Sequence, residues 1–147
     1  MNPKLRIASI TDEFSPQLGP ALAAMQAIGM TGAELRMVWG KNIMDLSDEE
    51  LDKAVDLCRR HGMEIISIAS PILKCVLPGG PEIDPRFQQD TFNSKHTFDD
   101  QQRLLEHAAR ICEKTGARII RVFSYWRTVE PQRCFDAVVK AVSGMAG

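Results

Sequence analysis

The 147-residue chain lacks most of the features that announce a partner or a compartment. It carries no excess charge. Lys and Arg number 18 against 19 Asp and Glu, so the net charge of −1 offers no basic surface to nucleic acid or to an anionic membrane. No apolar run approaches the ~18 residues that span a bilayer. Met1-Asn2-Pro3-Lys4-Leu5-Arg6 runs directly into a strand-like segment, so no signal peptide is expected. The four cysteines, Cys58, Cys75, Cys112 and Cys134, form no C-x-x-C pair and have no histidine nearby at zinc-site spacing. Three of them fall in helical patterns, where a reduced cysteine packs as a small apolar residue. No G-x-G-x-x-G follows the first strand-like run, which removes the usual signature of a dinucleotide-binding, doubly wound domain. The expectation is a reduced, cytoplasmic protein with neither nucleic acid nor membrane as partner.

What the chain has is a core and a repeat. Apolar residues make up 44% and charged residues 25%, the balance of a globular protein, and the length suits a single domain over residues 1–147. One pattern recurs four times, a strand-like run followed by an amphipathic helix. The strand runs are Leu5–Ile10, Ala33–Val38, Glu64–Ala69 and Ile119–Phe123.

The helices have readable ends. Ser15 and Pro16 predict the start of the first, with Leu18, Leu22, Met25 and Ile28 on its apolar side and Gly29 at its end. Ser47-Asp48-Glu49-Glu50 is a capping box opening the second, which runs through Leu51, Val55 and Cys58 to His61-Gly62. A third runs from about Phe98 to Thr115 with Leu105, Ala108 and Cys112 on one face, and a fourth begins near Pro131 with Phe135, Val138 and Val142. Strands alternating with helices predict βαβ units and a parallel sheet. The third unit is longer than the others by roughly 20 residues, a loop over 71–97 that leaves a strand's C-terminal end. Parallel α/β folds place their sites on that side. The loop reads equally as a substrate-covering lid or as a disordered insertion.

Charges inside the strands separate two architectures. Strands covered on both faces read as continuous apolar runs. Here Ala33-Glu34-Leu35-Arg36-Met37-Val38 puts Leu35 and Met37 on one face and Glu34 and Arg36 on the other, and the fourth strand sets Arg121 among apolar residues. Such charges must be paired or solvated, and the polar interior of a barrel accommodates them better than a doubly wound sheet does. They read either as a structural ion pair, Glu34 with Arg121, or as the floor of a pocket for a hydroxylated ligand.

Strand ends supply further candidates. Asp12 and Glu13 follow the first strand as acid–base material or as helix caps. Lys74 follows the third, either to hold a phosphate or carboxylate or as a solvated loop lysine. Tyr125 and Trp126 follow the fourth, to stack on a sugar ring or to cover the core. His61, His96 and His107 do not stand at strand ends, which argues against a metal role.

Ile7-Ala8-Ser9-Ile10-Thr11-Asp12-Glu13-Phe14-Ser15, Gly32-Ala33-Glu34-Leu35-Arg36 with Trp39-Gly40-Lys41-Asn42, Ile68-Ala69-Ser70-Pro71 and Ile120-Arg121-Val122-Phe123-Ser124 occur in that order. Together they resemble the xylose isomerase-like TIM-barrel proteins, in particular the sugar phosphate isomerases/epimerases. The resemblance implies a (β/α)8 barrel that binds a divalent metal, manganese or magnesium, and interconverts sugars or polyols by proton transfer next to a carbonyl. It implies substrate-side roles for Glu34, Arg36, Lys74 and Arg121 and names no catalytic residue. The metal ligands of such barrels, two glutamates, an aspartate and a histidine, come from strands of the second half, so no metal ligand is assigned in this chain. Related DNA-repair endonucleases carry histidines where this chain has Ser70-Pro71 and Ser124-Tyr125.

The expected fold is therefore α/β, four βα units making half of a (β/α)8 barrel, where a complete barrel takes about 250 residues. Two strand edges of such a half stand open. A fragment, a homodimer closing the barrel from two copies, and a flattened flavodoxin-like sheet are the outcomes, with the homo-oligomer preferred. The functional expectations are a sugar (phosphate) isomerase/epimerase-like protein or, alternatively, a non-catalytic half-barrel binding or assembly module.

Overall fold

Along the chain the elements are β1 (Ala8–Ile10), α1 (Leu18–Ala27), β2 (Gly32–Leu35), β3 (Met37–Val38), β4 (Lys41–Asn42), α2 (Asp48–Arg60), β5 (Glu64–Ala69), α3 (Gln101–Thr115), β6 (Ile119–Arg121) and α4 (Phe135–Met145). This computed structural model describes residues 6–87 and 95–145. Leu5 of the first expected strand and residues 88–94 of the long loop lie outside the described residues. The chain divides into two compact units, Met1–Ser70 with His107–Arg121, and Pro71–Glu106 with Val122–Gly147. No helix among the described residues is long and apolar enough to cross a membrane.

The first unit is built on a four-stranded parallel sheet in the order β1-β2-β5-β6, the arrangement expected of successive βαβ units. Register neighbours on parallel strands share a face. Leu35 lies beside Ile68 and Ile68 beside Ile120. Leu35 and Ile68 are fully buried, as are Leu22 and Met25 of α1, Ala54 of α2 and Ala108 of α3. Each large side chain of that set contributes about 1.5–3 kcal/mol by leaving water. The opposite row is Ile10, Glu34, Ser67 and Ile119, with Ile10 and Glu34 half-buried and Ile119 exposed.

The capping box of α2 is formed as the sequence predicts. Ser47 Oγ accepts from the Glu50 N–H at 3.2 Å, and Glu50 Oε2 accepts from the Ser47 N–H at 2.9 Å. Three acids occupy its first turn and Arg59 and Arg60 its last, both favourable to the helix dipole. Lys114 near the end of α3 reaches Asp52 at 3.1 Å and Asp48 at 3.5 Å. Burial pushes the Cys58 thiol in α2 up to about 12, so it packs as an inert apolar group.

Several expectations in this unit need correction. The first helix begins at Leu18, not at Pro16, because the Ser15 hydroxyl accepts from the Gln17 N–H at 3.1 Å in a local turn and Gln17 stays extended. Its expected apolar residue Ile28 lies past the helix and is 64% exposed. The second strand stops at Leu35 instead of continuing to Val38. Trp39 (φ 52°) and Gly40 (φ 78°) are both left-handed and form a two-residue turn that folds β3 back on β4, Met37 beside Asn42. Met37 therefore belongs to a small hairpin and not to a face shared with Leu35. In α3, the buried residues of this unit are Ala108 and Ile111, while Cys112 is only half-buried.

The second unit is organised by two strand exits running side by side. The N–H groups of Phe123, Tyr125 and Trp126 donate to the carbonyls of Ile72, Leu73 and Cys75 at 2.8, 3.0 and 3.0 Å. Leu73 (φ 59°) and Tyr125 (φ 68°) are left-handed although neither is glycine. Gln101, buried at the start of α3, accepts from the Leu73 N–H at 2.6 Å and donates to the Thr97 carbonyl at 2.6 Å. The first part of the long loop, 71–87, is fastened. Asp84 N–H donates to Arg127 O at 2.9 Å, Val129 N–H to Glu82 O at 2.9 Å, and Ile83 bridges Thr128. The helix expected from Phe98 begins at Gln101, after a tight turn over Phe98–Asp100, and buries Leu104 in place of Leu105. The fourth helix is a larger departure. It begins at Phe135 after a tight turn over Pro131–Cys134, none of its residues is buried, and Phe135 is 68% exposed.

Two outcomes follow. Gly32 pairs with Ala8, and a Cβ there would lie 2.7 Å from the Ala8 Cβ and 3.3 Å from Ile66 Cγ2. Gly32→Ala is expected to destabilise the protein by about 1–3 kcal/mol in urea unfolding. Asp100 is held down to about 2 by the Thr97 N–H, the Arg103 guanidinium and the Thr97 hydroxyl. Its folded value lies below the ordinary aspartate value of about 3.9. The stability it contributes is therefore present above pH ~4 and lost as pH falls through about 2. A carboxyl NMR titration should place its midpoint near 2, and a midpoint near 4 would show that the turn before α3 is not capped this way.

Candidate functional site on the parallel sheet

Polar groups of the first unit gather where its strands exit. Glu34 sits on β2 in the row opposite the buried Leu35–Ile68 row, and Ser67 on β5 is its register neighbour. The Ser67 hydroxyl, 3% exposed, donates to Glu34 Oε2 at 2.7 Å. Arg121 ends β6. Its Nη1 donates to the Ser70 carbonyl at 3.0 Å, and the Ser70 hydroxyl donates to the Arg121 carbonyl at 2.7 Å, so the residue just after β5 and the last residue of β6 are stitched reciprocally. Burial lowers the Arg121 pKa from its usual value, the Glu34 carboxylate opposes that shift, and the Arg36 charge adds to it. Glu34, Arg36 and Arg121 thus share one electrostatic environment.

Arg36 is clasped from the neighbouring strand exit. Its Nε and Nη2 donate to Asp12 Oδ2 at 3.0 and 2.7 Å, and Nη2 also donates to Glu13 Oε1 at 2.6 Å. The other Asp12 oxygen accepts from the Met37 N–H at 3.1 Å. Burial works to lower the arginine's pKa, and the bonds and charges of Asp12 and Glu13 outweigh it, leaving a net rise. The expectation that Glu34 and Arg36 both lie within the second strand is corrected. Arg36 lies one residue beyond β2, directed by its partners after β1. Asp12 accordingly holds an arginine and a backbone amide and caps no helix, lying within the tight turn Thr11–Glu13.

Of the four expected substrate-side residues, Glu34, Arg36 and Arg121 belong to the first unit and Lys74 to the second. Lys74 is not a solvated loop lysine. It is 8% exposed, with its ammonium 5.4 Å from the Phe123 ring centre and 5.5 Å from that of Trp126. Tyr125 is buried and stacks on Phe98 with centroids 6.5 Å apart, the core-covering role. Beside it, Trp126, Arg127, Leu77 and Phe135 wall a cleft of about 290 Å³ within the second unit. His61 Nδ1 lies 3.2 Å from Gln26 Oε1, and His107 Nε2 lies 3.0 Å from the Met44 carbonyl.

Sequence reasoning passed over Ser67 and quoted Ser70 only within the Ile68-Ala69-Ser70-Pro71 motif, with no role of its own. The signal was present: two serines in Ile65-Ile66-Ser67-Ile68-Ala69-Ser70 interrupt an otherwise apolar strand. A divalent metal of the kind the resemblance implies needs several converging oxygen or nitrogen donors. Among the described residues no group of three or more His, Cys, Asp or Glu side chains converges to hold one. Asp12 and Glu13 are committed to Arg36, which leaves Glu34 as a lone carboxylate on the sheet face. The donors among the described residues do not fit the ion.

No family model, no curated protein and no solved structure matches the chain.

The clasp makes a graded prediction. Asp12 and Arg36 side chains are 10% and 18% exposed, whereas Glu13 is 57% exposed. Arg36→Ala leaves a largely buried carboxylate without its cation and should cost about 3 kcal/mol, while Glu13→Ala should cost under about 1 kcal/mol. Equal losses in chemical denaturation would show that Asp12 is not the principal partner.

Proposed function

We propose that the polar face of the first unit's sheet binds a small polyhydroxylated molecule, a sugar or sugar phosphate. On this reading the chain is the four-unit half of a (β/α)8 barrel of the sugar phosphate isomerase/epimerase type, working in a reduced, cytoplasmic setting. The observation that supports it most is Glu34, a strand carboxylate oriented by Ser67 and lying in the field of Arg121. A carboxylate accepts from hydroxyls, and a guanidinium donates to hydroxyl, carbonyl or phosphate oxygens in a planar fork. Together they suit a ligand that carries donors and acceptors along one edge. The free, mostly buried cysteines accord with a reducing compartment.

The roles assigned are binding and orientation. Glu34 positions a hydroxyl, Arg121 neutralises an oxygen-rich end, and the Arg36 clasp with Asp12 and Glu13 keeps the β1 and β2 exits together. The proton transfer that isomerisation and epimerisation require is part of the family reading, and no residue here is given that step.

Titration of the whole chain with ketose and aldose phosphates, followed by amide chemical shifts, tests the assignment. Shifts should cluster at Glu34, Ser67 and Arg121. Glu34→Gln, which preserves the acceptor for Ser67, and Arg121→Lys should each weaken binding roughly ten- to a hundred-fold. Binding that is absent, or unchanged in both variants, overturns the site. Turnover of a bound ketose in the presence of manganese or magnesium identifies an isomerase or epimerase, and binding without turnover identifies a binding module.

A further inference from the structure

Glu34 is a carboxylate on the first unit's sheet face that no described cation meets directly. Asp12 and Glu13 are matched to Arg36. Glu34 is half-buried and forms no ion pair among the described residues. Its Oε2 accepts from the neutral Ser67 hydroxyl, which is 3% exposed, and its Oε1 has no hydrogen-bond donor among the described residues. A carboxylate partly out of water is stabilised most by a positive charge placed against it.

A divalent metal needs several converging donors, which the described residues do not bring together. An ammonium group needs one carboxylate oxygen, and its charged N–H binds that oxygen about twice as strongly as a neutral hydroxyl does. Arg121 constrains the rest of the ligand. Alternation returns it to the face of Glu34, two strands across and two residues further along, offsets of about 10 Å and about 7 Å. The Glu34 carboxylate acts on the Arg121 guanidinium through space, without an ion pair between the two. Opposite charges held apart on one face suit a ligand whose own charges are held apart in the complementary sense. An α-amino acid carries its two charges on neighbouring carbons, whereas a hexosamine phosphate separates them by the width of a sugar ring.

We propose that the first unit's sheet face takes an amino sugar phosphate, with the protonated amine at Glu34 and the phosphate at Arg121. The proposal rests on the reading of this face as a sugar phosphate site and narrows the class of ligand it takes. Ser67 is the positioning residue. By occupying Oε2 it leaves Oε1 to the amine.

Titration calorimetry of the whole chain at about pH 7, where a sugar amine is largely protonated, compares glucosamine 6-phosphate, glucose 6-phosphate and N-acetylglucosamine 6-phosphate. The three probes differ at a single carbon, which carries an ammonium, a hydroxyl or a neutral acetamide. The amine should bind at least about tenfold more tightly than the hydroxyl, and the acetamide no more tightly than the hydroxyl. Glu34→Gln, which keeps an acceptor for Ser67, should bring the ratio of amine to hydroxyl affinity to about one. Arg121→Lys should weaken all three and leave that ratio standing. An acetamide that matches the amine, or a preference for the amine that survives Glu34→Gln, would overturn the proposal. Equal binding of amine and hydroxyl, each weakened by Glu34→Gln and Arg121→Lys, removes the amine and keeps the sugar phosphate site. Binding of none of the three removes the site and the proposal together.

Discussion

The clasp between Arg36 and Asp12 is the interaction on which the first unit's site depends. A guanidinium at 18% exposure beside a carboxylate at 10% is tolerated only because each supplies the other's counter-charge. The same carboxylate accepts from the Met37 N–H, so the amide that would have continued β2 is already used. β2 ends there, the chain turns through Trp39 and Gly40, and the hairpin returns to Asn42 and the start of α2. Lys53 of α2 lies 4.8 Å from the centre of the Trp39 ring, over a residue whose left-handed backbone is unusual for its type. One ion pair thus joins two strand exits, terminates a strand and sets the course of the following connection.

Much of this unit is legible in the sequence because its signals are local. The capping box at Ser47–Glu50 involves residues three apart and forms as written. The third strand, Glu64–Ala69, is bounded by His61-Gly62 and by Pro71 and has the limits that its β-rich run predicts. The features that sequence misplaces are decided by distant partners or by atypical residues. The turn at Trp39-Gly40 requires positive φ at both positions, and tryptophan is not a residue that announces it. Asp12 lies 24 positions from the arginine it holds, and no local spacing distinguishes that partnership from a helix cap. The fourth helix carries a periodic apolar pattern, but periodicity states only which side is apolar, and none of its residues is buried.

The charges on the sheet were legible as residue types and not as partners. Alternation placed Glu34 away from Leu35, and the structure keeps that placement, with Glu34 half-buried and Leu35 fully buried. It did not anticipate that serines would hold the charged groups. Ser67 donates to Glu34, and the Ser70 hydroxyl and carbonyl engage the Arg121 backbone and guanidinium. A hydroxyl both donates and accepts, so a small residue in an apolar strand satisfies a charge that an aliphatic neighbour would strand.

The two exits of the second unit make the same point by a different route. Leu73 and Tyr125 adopt left-handed conformations that β-region residues normally avoid, and both are buried. Each costs on the order of 1–3 kcal/mol unless its surroundings fix it. Here the Tyr125 N–H donates to the Leu73 carbonyl, the Leu73 N–H donates to Gln101, and the Tyr125 ring stacks on Phe98. Lys74, the residue after Leu73, lies over Phe123 and Trp126 instead of in water. In both units the chain spends unusual backbone or buried charge at the C-terminal ends of its strands and keeps its ordinary packing elsewhere. Parallel α/β architecture makes those ends available for binding, because the helices cover the strands and the loops leave their tips open.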